Sequence, residues 1–218
     1  GLGGALQTMG LELINTGVNA FISAAYVVIV PFMVWIIEKS RPAGKVFVSA
    51  AIAMAGVTIM SITGITSGAL SMGKGEMLSL MSAFCYAGAI VTADYFTRKT
   101  SVSLITGMQF IFSFAVALVM ALALGEPAPS FDMVSAPIVM EFIYLVVFGT
   151  FFTQLLFTFG VKYASASQAG VIFPLESVSA TVFGCIFLHE IMQGVQIAGS
   201  IMILLSIIIS SVEFKKND

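Results

Sequence analysis

Charge and apolarity are segregated along this chain. Apolar stretches of about 20 residues, long enough to cross a bilayer, alternate with short gaps that hold almost every ionisable side chain. If each stretch crosses once, Lys39, Arg41, Lys45, Arg98, Lys99, Lys162, Lys215 and Lys216 share a compartment and only Lys74 lies opposite. Eight of the nine Lys and Arg residues on one side is the asymmetry expected when basic loops stay cytoplasmic. The pattern predicts an all-α, polytopic helical bundle, multi-pass in the cell (cytoplasmic) membrane, with its C-terminus cytoplasmic.

Composition removes the alternatives. The chain is 59% apolar and 9% charged, with a mean hydropathy of +1.06. Soluble domains carry about a quarter charged residues, so no water-facing surface could be built here. A β-barrel is excluded because the stretches do not alternate and are about twice the length of a barrel strand. A net charge of −2 without a basic patch argues against nucleic acid. Cys85 and Cys185 both lie inside apolar segments and read as packing residues, not a disulfide. No Gly-x-x-x-x-Gly-Lys-Ser/Thr stretch exists to bind a nucleotide. His189 is the only histidine, at the outer boundary beside Glu190. A metal site, a cofactor and an enzymatic role are therefore not expected.

Seven complete spans and one partial one are predicted. The partial span covers about 1–14, followed by 17–38, 45–65, 76–97, 101–125, 137–160, 165–188 and 191–212. Between them stand the charged turn at 38–42, a Gly/Ser-rich loop at 64–75, the loop 126–136 with Glu126 and Asp132 outside, and a polar tail Glu213–Asp218.

Two segments resemble each other internally. Residues 7–31 (QTMGLELINTGVNAFISAAYVVIVP) set against 157–181 (FTFGVKYASASQAGVIFPLESVSAT) bring Gly10 to Gly160, Asn15 to Ser165 and, after a one-residue slip, Ala20 to Ala169. Each is followed by a short turn and another span. Five crossings separate the copies, so the second must be inserted upside down. The charges agree: the turn at 38–45 carries Lys39, Arg41 and Lys45, whereas its counterpart at 189–194 carries no Lys or Arg. Glu12 similarly corresponds to Lys162. Inverted repeats suggest alternating access around a site near the bilayer midplane.

Three stretches resemble the drug/metabolite transporter superfamily, specifically its EamA-type members. TGVNAFISAAYVVIVPF (16–32) resembles the fourth helix of the first repeat, and residues 168–209 resemble the last two helices of the second. Leu175-Glu176-Ser177-Val178 is similar to a Leu-Glu-Pro-Val motif, with Ser177 in place of Pro. Leu188-His189-Glu190 is similar to Leu-Gly-Glu, and Gly199 matches the glycine opening the last helix. The resemblance implies ten helices in two inverted repeats of five. Residues 1–66 would be the remainder of the first repeat (part of helix three, helices four and five) and 74–213 the second. About 75 residues of the first repeat are then missing, and the chain is expected to be an N-terminally truncated piece of a larger product.

Glu176 is the sharpest candidate for chemistry. It lies about 16 Å into its span, near mid-bilayer, where a carboxylate costs about 2.5–3.5 kcal/mol or more. It could bind a proton, pair with a cationic substrate, or hydrogen-bond within the bundle. Pro174 frees a backbone carbonyl beside it, and Pro31 is placed to do the same in the other repeat. Gln154 and Gln109, well inside their spans, and Gln168 and Tyr26 offer hydrogen bonds to a substrate or act as glue between helices. Tyr26 stands one residue from the slot equivalent to Glu176. Trp35 and Tyr95 read as interfacial anchors, and Asp94, four residues before Arg98, as a solvated or paired end residue.

The resemblance implies a secondary-active exporter of small organic metabolites, amino acids or drugs. A proton gradient acting through Glu176 and uniport are equally open as driving modes, the lipid bilayer is the other partner, and the expected state is a monomer, with a dimer as the alternative. The competing reading is a membrane structural or regulatory subunit without transport.

Overall fold

A computed structural model describes residues 1–14, 16–39, 42–61, 73–125, 135–187 and 194–211. The described residues are helical with short turns and contain no strand. In chain order the helices are α1 (Leu2–Leu11), α2 (Thr16–Ser23), α3 (Tyr26–Glu38), α4 (Gly44–Ser61), α5 (Lys74–Thr97), α6 (Val102–Leu124) and α7 (Ala136–Tyr144). A π-helical segment, Leu145–Phe152, joins α7 to α8 (Thr153–Tyr163). The remainder are α9 (Ala166–Ile172), α10 (Leu175–Phe187) and α11 (Gly194–Ser211). Arg41, Glu126, Asp132, His189, Glu190, Lys215 and Lys216, on which part of the charge reading rests, lie outside the described residues, as do the loop 62–72 and the tail from 212.

Among the described residues, four helical stretches are long and apolar enough to cross a membrane: Val18–Ile37, Lys74–Thr97, Val102–Ala123 and Ala136–Tyr163. Helices α4 and α11 are equally apolar and have 18 residues each, about 27 Å at 1.5 Å per residue. The chain is an all-α polytopic membrane protein. Its outward-facing residues are large and apolar, among them Ile111, Phe114, Leu122, Met140 and Phe142, as lipid contact requires.

The chain forms two compact units. The larger comprises 3–92 and the chain from 164 onward, and the smaller comprises residues 1–2 and 93–163. In the larger unit α4 and α11 lie against each other at very close range. A Cβ added to Gly56 would stand 2.8 Å from the Gly199 carbonyl oxygen and 2.9 Å from Ile203 Cγ1. Small residues permit such an approach, and in lipid, where burial of apolar surface drives little, that contact is what holds helices together. Gly10 and Gly75 do the same for α1 and α5, and Gly170 does it for α9 against Val30 of α3. Val57, Val178 and Ile203 form a buried cluster, with Ala24 and Leu175 packed on it.

Two of the predicted spans are broken helices. Span 17–38 is α2 followed by α3, interrupted at Ala24 and Ala25; span 165–188 is α9 followed by α10, interrupted at Phe173 and Pro174. At the second break Pro174 has no N–H to give the Gly170 carbonyl, and tight i−3 bonds replace the helical ladder: Glu176 N–H to Phe173 O (2.9 Å) and Ser177 N–H to Pro174 O (3.0 Å). The first break shows the same tightening without a proline in it, with Val27 N–H donating to Ala24 O and Val28 N–H to Ala25 O, both at 3.0 Å. Pro31 sits farther along, inside α3. Helix boundaries recur at a spacing of 150 residues: α2 and α9 start at Thr16 and Ala166, α4 and α11 start at Gly44 and Gly194 and end at Ser61 and Ser211.

Candidate functional site

The two breaks bring polar groups into the larger unit. Leu175 and Val178 of α10 pack on the same apolar cluster as Ala24, so the first turn of α10 lies against the α2–α3 break. Glu176, the second residue of α10, is exposed there, and Tyr26, the first residue of α3, and Tyr86 of α5 lie in the same unit. The two tyrosine rings meet edge to face, with centroids 6.2 Å apart and planes at 64°.

Tyr86, on α5, donates its hydroxyl proton to Gln7 Oε1 of α1 at 2.7 Å. Asn19, on α2, donates from Nδ2 to the Gln7 main-chain carbonyl at 2.8 Å and accepts from the Ser23 hydroxyl at 3.1 Å. Ser23 Oγ also lies 3.2 Å from Ser82 Oγ, and Ser82 donates to the Ser79 carbonyl. Asn19, Ser23 and Ser82 are buried, where an unpaired polar group would be costly; their mutual bonding tethers α1, α2 and α5. The Tyr26 hydroxyl makes no hydrogen bond among the described residues, and Gln7 keeps its amide N–H groups for other acceptors. The arrangement can offer one carboxylate, phenol and amide donors, and two aromatic faces to a molecule of solute size.

Gln109 and Gln154 meet in the smaller unit. Gln154 Nε2 donates to Gln109 Oε1 at 2.9 Å, and Thr158 Oγ1 bonds to the Gln154 carbonyl (2.9 Å) and approaches Gln109 Oε1 (3.3 Å). These contacts tie α6 to α8. Gln154 is the second residue after the π segment, where the Thr150 and Thr153 hydroxyls bond the carbonyls of Leu145 and Phe148 five residues back. Also in this unit, Arg98 grips the buried Asp94 with two bonds of 3.0 and 2.8 Å.

Gln168 has a local task. It stands three residues after Ser165, the N-cap of α9: the Gln168 N–H donates to Ser165 Oγ (3.3 Å) while Gln168 Oε1 accepts from the Ser165 N–H (3.2 Å), a capping box. The same residues, with Val34, Pro42, Ala43, Lys45, Val46 and Ser167, line a shallow cleft of about 250 Å³.

Of the five residues singled out in the sequence, Glu176 and Tyr26 lie in one cluster and Gln109 and Gln154 in another, while Gln168 sits at a helix entry. Gln7, Asn19 and Tyr86 were not anticipated. Gln7 and Asn19 are polar residues within otherwise apolar helices, a signal the sequence carries, but their pairing with Tyr86 depends on how α1, α2 and α5 pack. Among the described residues no group of three His, Cys, Asp or Glu side chains converges as a metal site would require.

An all-α polytopic membrane bundle is the class of protein that the fold defines, and sequence comparison supplies the family. Residues 73–212, which include α5 to α11, match the EamA-like transporter family, and the chain belongs to it. A protein of Archaeoglobus fulgidus described as an uncharacterized transporter is 28% identical over 211 residues. That match takes in 96% of this chain, and the chain spans 65% of that relative's length. A protein of known crystal structure shares the fold with a TM-score of 0.78 at 15% identity, over 97% of this chain and 72% of its own.

Proposed function

We propose that this chain is the greater part of a secondary transporter that moves a small organic solute across the cell membrane by alternating access. The observation that carries this reading is the pair of broken helices. The breaks at Ala24–Ala25 and Phe173–Pro174 fall 149 residues apart, and each is followed within two residues by one polar side chain, Tyr26 or Glu176. Interrupted helices at matching places in two halves are the usual mark of a midplane binding site. Residues 1–66 and 74–213 are the two repeats in this reading, inserted with opposite orientation.

Export of metabolites, amino acids or drugs is the direction most in keeping with the family. The working unit is a monomer, with a proton as the candidate coupling ion. The solute site is the cluster around Glu176, Tyr26 and Tyr86 in the larger unit; Gln154 and Gln109 form a separate candidate pair in the smaller one.

The test compares solutes inside and outside cells expressing the complete gene, as wild type and as Glu176→Gln. A solute that moves only with the wild type supports transport and the site together. A solute that moves equally with both keeps transport and removes Glu176 from the site. Well-expressed wild type that moves nothing counts against transport.

A further inference from the structure

We propose that the cleft lined by α3, α4 and α9 holds the phosphate group of an anionic phospholipid from the cytoplasmic leaflet. This site is separate from the solute site and would stand without transport.

The cleft has a volume of about 250 Å³, and all its lining residues belong to the larger unit. One helical turn deeper, α9 and α3 close on each other: a Cβ on Gly170 would stand 3.2 Å from Val30 Cβ. That approach lies between the cleft and Tyr26, which is a further turn along α3. Pro42, Ala43 and Lys45 line the cleft from the turn 38–45. In sequence this turn carries Lys39, Arg41 and Lys45 against the single anion Glu38. Turns with such an excess stay cytoplasmic, and basic pockets between helices on that side attract anionic headgroups.

The lining supplies the Lys45 ammonium, the Gln168 amide and the Ser165 and Ser167 hydroxyls, and it contains no carboxylate. The capping box occupies Ser165 Oγ and Gln168 Oε1, which leaves Gln168 Nε2 to donate. Ser167 is only 5% exposed, yet its hydroxyl makes no hydrogen bond among the described residues. A buried hydroxyl without a partner costs free energy that a ligand oxygen would recover. A group that accepts from an ammonium, an amide and a hydroxyl together is an oxyanion, and a phosphate has oxygens for all three. Val34 and Val46 add apolar surface to the same lining. That surface suits the glycerol and first acyl carbons of a lipid and offers nothing to a free phosphate ion.

Native mass spectrometry of the complete protein, released from detergent micelles, counts the lipids that stay bound. The probes are phosphatidylglycerol and phosphatidylcholine with the same acyl chains, titrated separately, and inorganic phosphate as competitor. The first phosphatidylglycerol should bind at least about fivefold more tightly than the first phosphatidylcholine, as expected for one cation near an anionic headgroup. Lys45→Gln should remove most of that preference, and Ser167→Ala should weaken phosphatidylglycerol about two- to fivefold. Ala43→Leu, at an exposed position, keeps every charge but narrows the cleft, and should also displace the lipid. Lys99→Gln, which removes a cation of the smaller unit, should leave the first binding step unchanged. Equal binding of the two lipids would overturn the proposal. A loss with Lys99→Gln as large as with Lys45→Gln would do the same, since the attraction would then be diffuse. Unchanged binding by folded Ala43→Leu would move the lipid out of the cleft. Displacement of phosphatidylglycerol by millimolar inorganic phosphate would give the cleft to the free ion and overturn the lipid assignment.

Discussion

Gln109 and Gln154 illustrate what a polar side chain does in a membrane bundle. Each has lost water, and each finds in the other a partner that neither could replace with lipid. Hydrogen bonds of this kind contribute about 0.6 kcal/mol on average and up to about 1.7 kcal/mol. A double-mutant cycle of Gln109→Leu and Gln154→Leu, read by unfolding in detergent micelles, should give a coupling of about 0.5–1.7 kcal/mol. Simple additivity would show that the two side chains do not depend on each other. Tyr86→Phe removes the proton donated to Gln7 Oε1 but keeps the ring, so it should lower stability by about 1 kcal/mol and leave the edge-to-face contact with Tyr26 in place. An unchanged unfolding midpoint would mean that Gln7 finds another donor without cost.

Helices respond to their glycines according to what stands opposite. Gly56 has the Gly199 carbonyl and Ile203 within 3 Å of where a methyl would go, so Gly56→Ala should push α4 from α11 and cost about 1–3 kcal/mol. Gly107, inside α6, has nothing within 4 Å, and Gly107→Ala should be neutral or stabilising by up to about 1 kcal/mol. The same sign for both variants in thermal unfolding would contradict the packing described for α4 and α11. Pro174→Ala returns an N–H to the Gly170 carbonyl and should join α9 to α10, raising thermal stability while slowing solute movement. Faster or unchanged movement would detach the break from function. These elements also mark how far sequence reasoning reaches. Pro174 announces its break, because a missing N–H acts locally; the break at Ala24–Ala25 has no such residue and comes from packing. Ser165-Ala-Ser-Gln168 spells a capping box that a hydropathy reading passes over by merging α9 into one span. The π segment has no signature in its composition, and the Gln7–Tyr86 bond joins residues 79 positions apart that only tertiary contact brings together.

Orientation is a property of the whole molecule and follows from where its cations can go. Helix α5 separates Lys74 from Arg98 and Lys99 across 24 residues, about 36 Å, enough to cross the hydrocarbon core. Its far end is anchored in the manner of an interfacial belt: Lys99 Nζ donates to the Tyr95 hydroxyl and lies 3.9 Å from the Tyr95 ring centroid. The basic end should therefore face the cytoplasm and Lys74 the outside. Single cysteines report this directly once Cys85 and Cys185 have been replaced by Ser. In intact cells a membrane-impermeant thiol reagent should label Lys74→Cys, and it should reach Ser101→Cys, at the exposed start of α6, only after permeabilisation. The opposite pattern would invert the molecule. Labelling of both from outside would mean that α5 does not cross. The crossing count would then change by one, and the two repeats proposed above would run in the same direction rather than in opposite ones. Alternating access through a pair of inverted halves requires an odd number of crossings between them, so this one labelling pattern decides whether the broken helices at Ala24 and Pro174 can serve a single site from two sides.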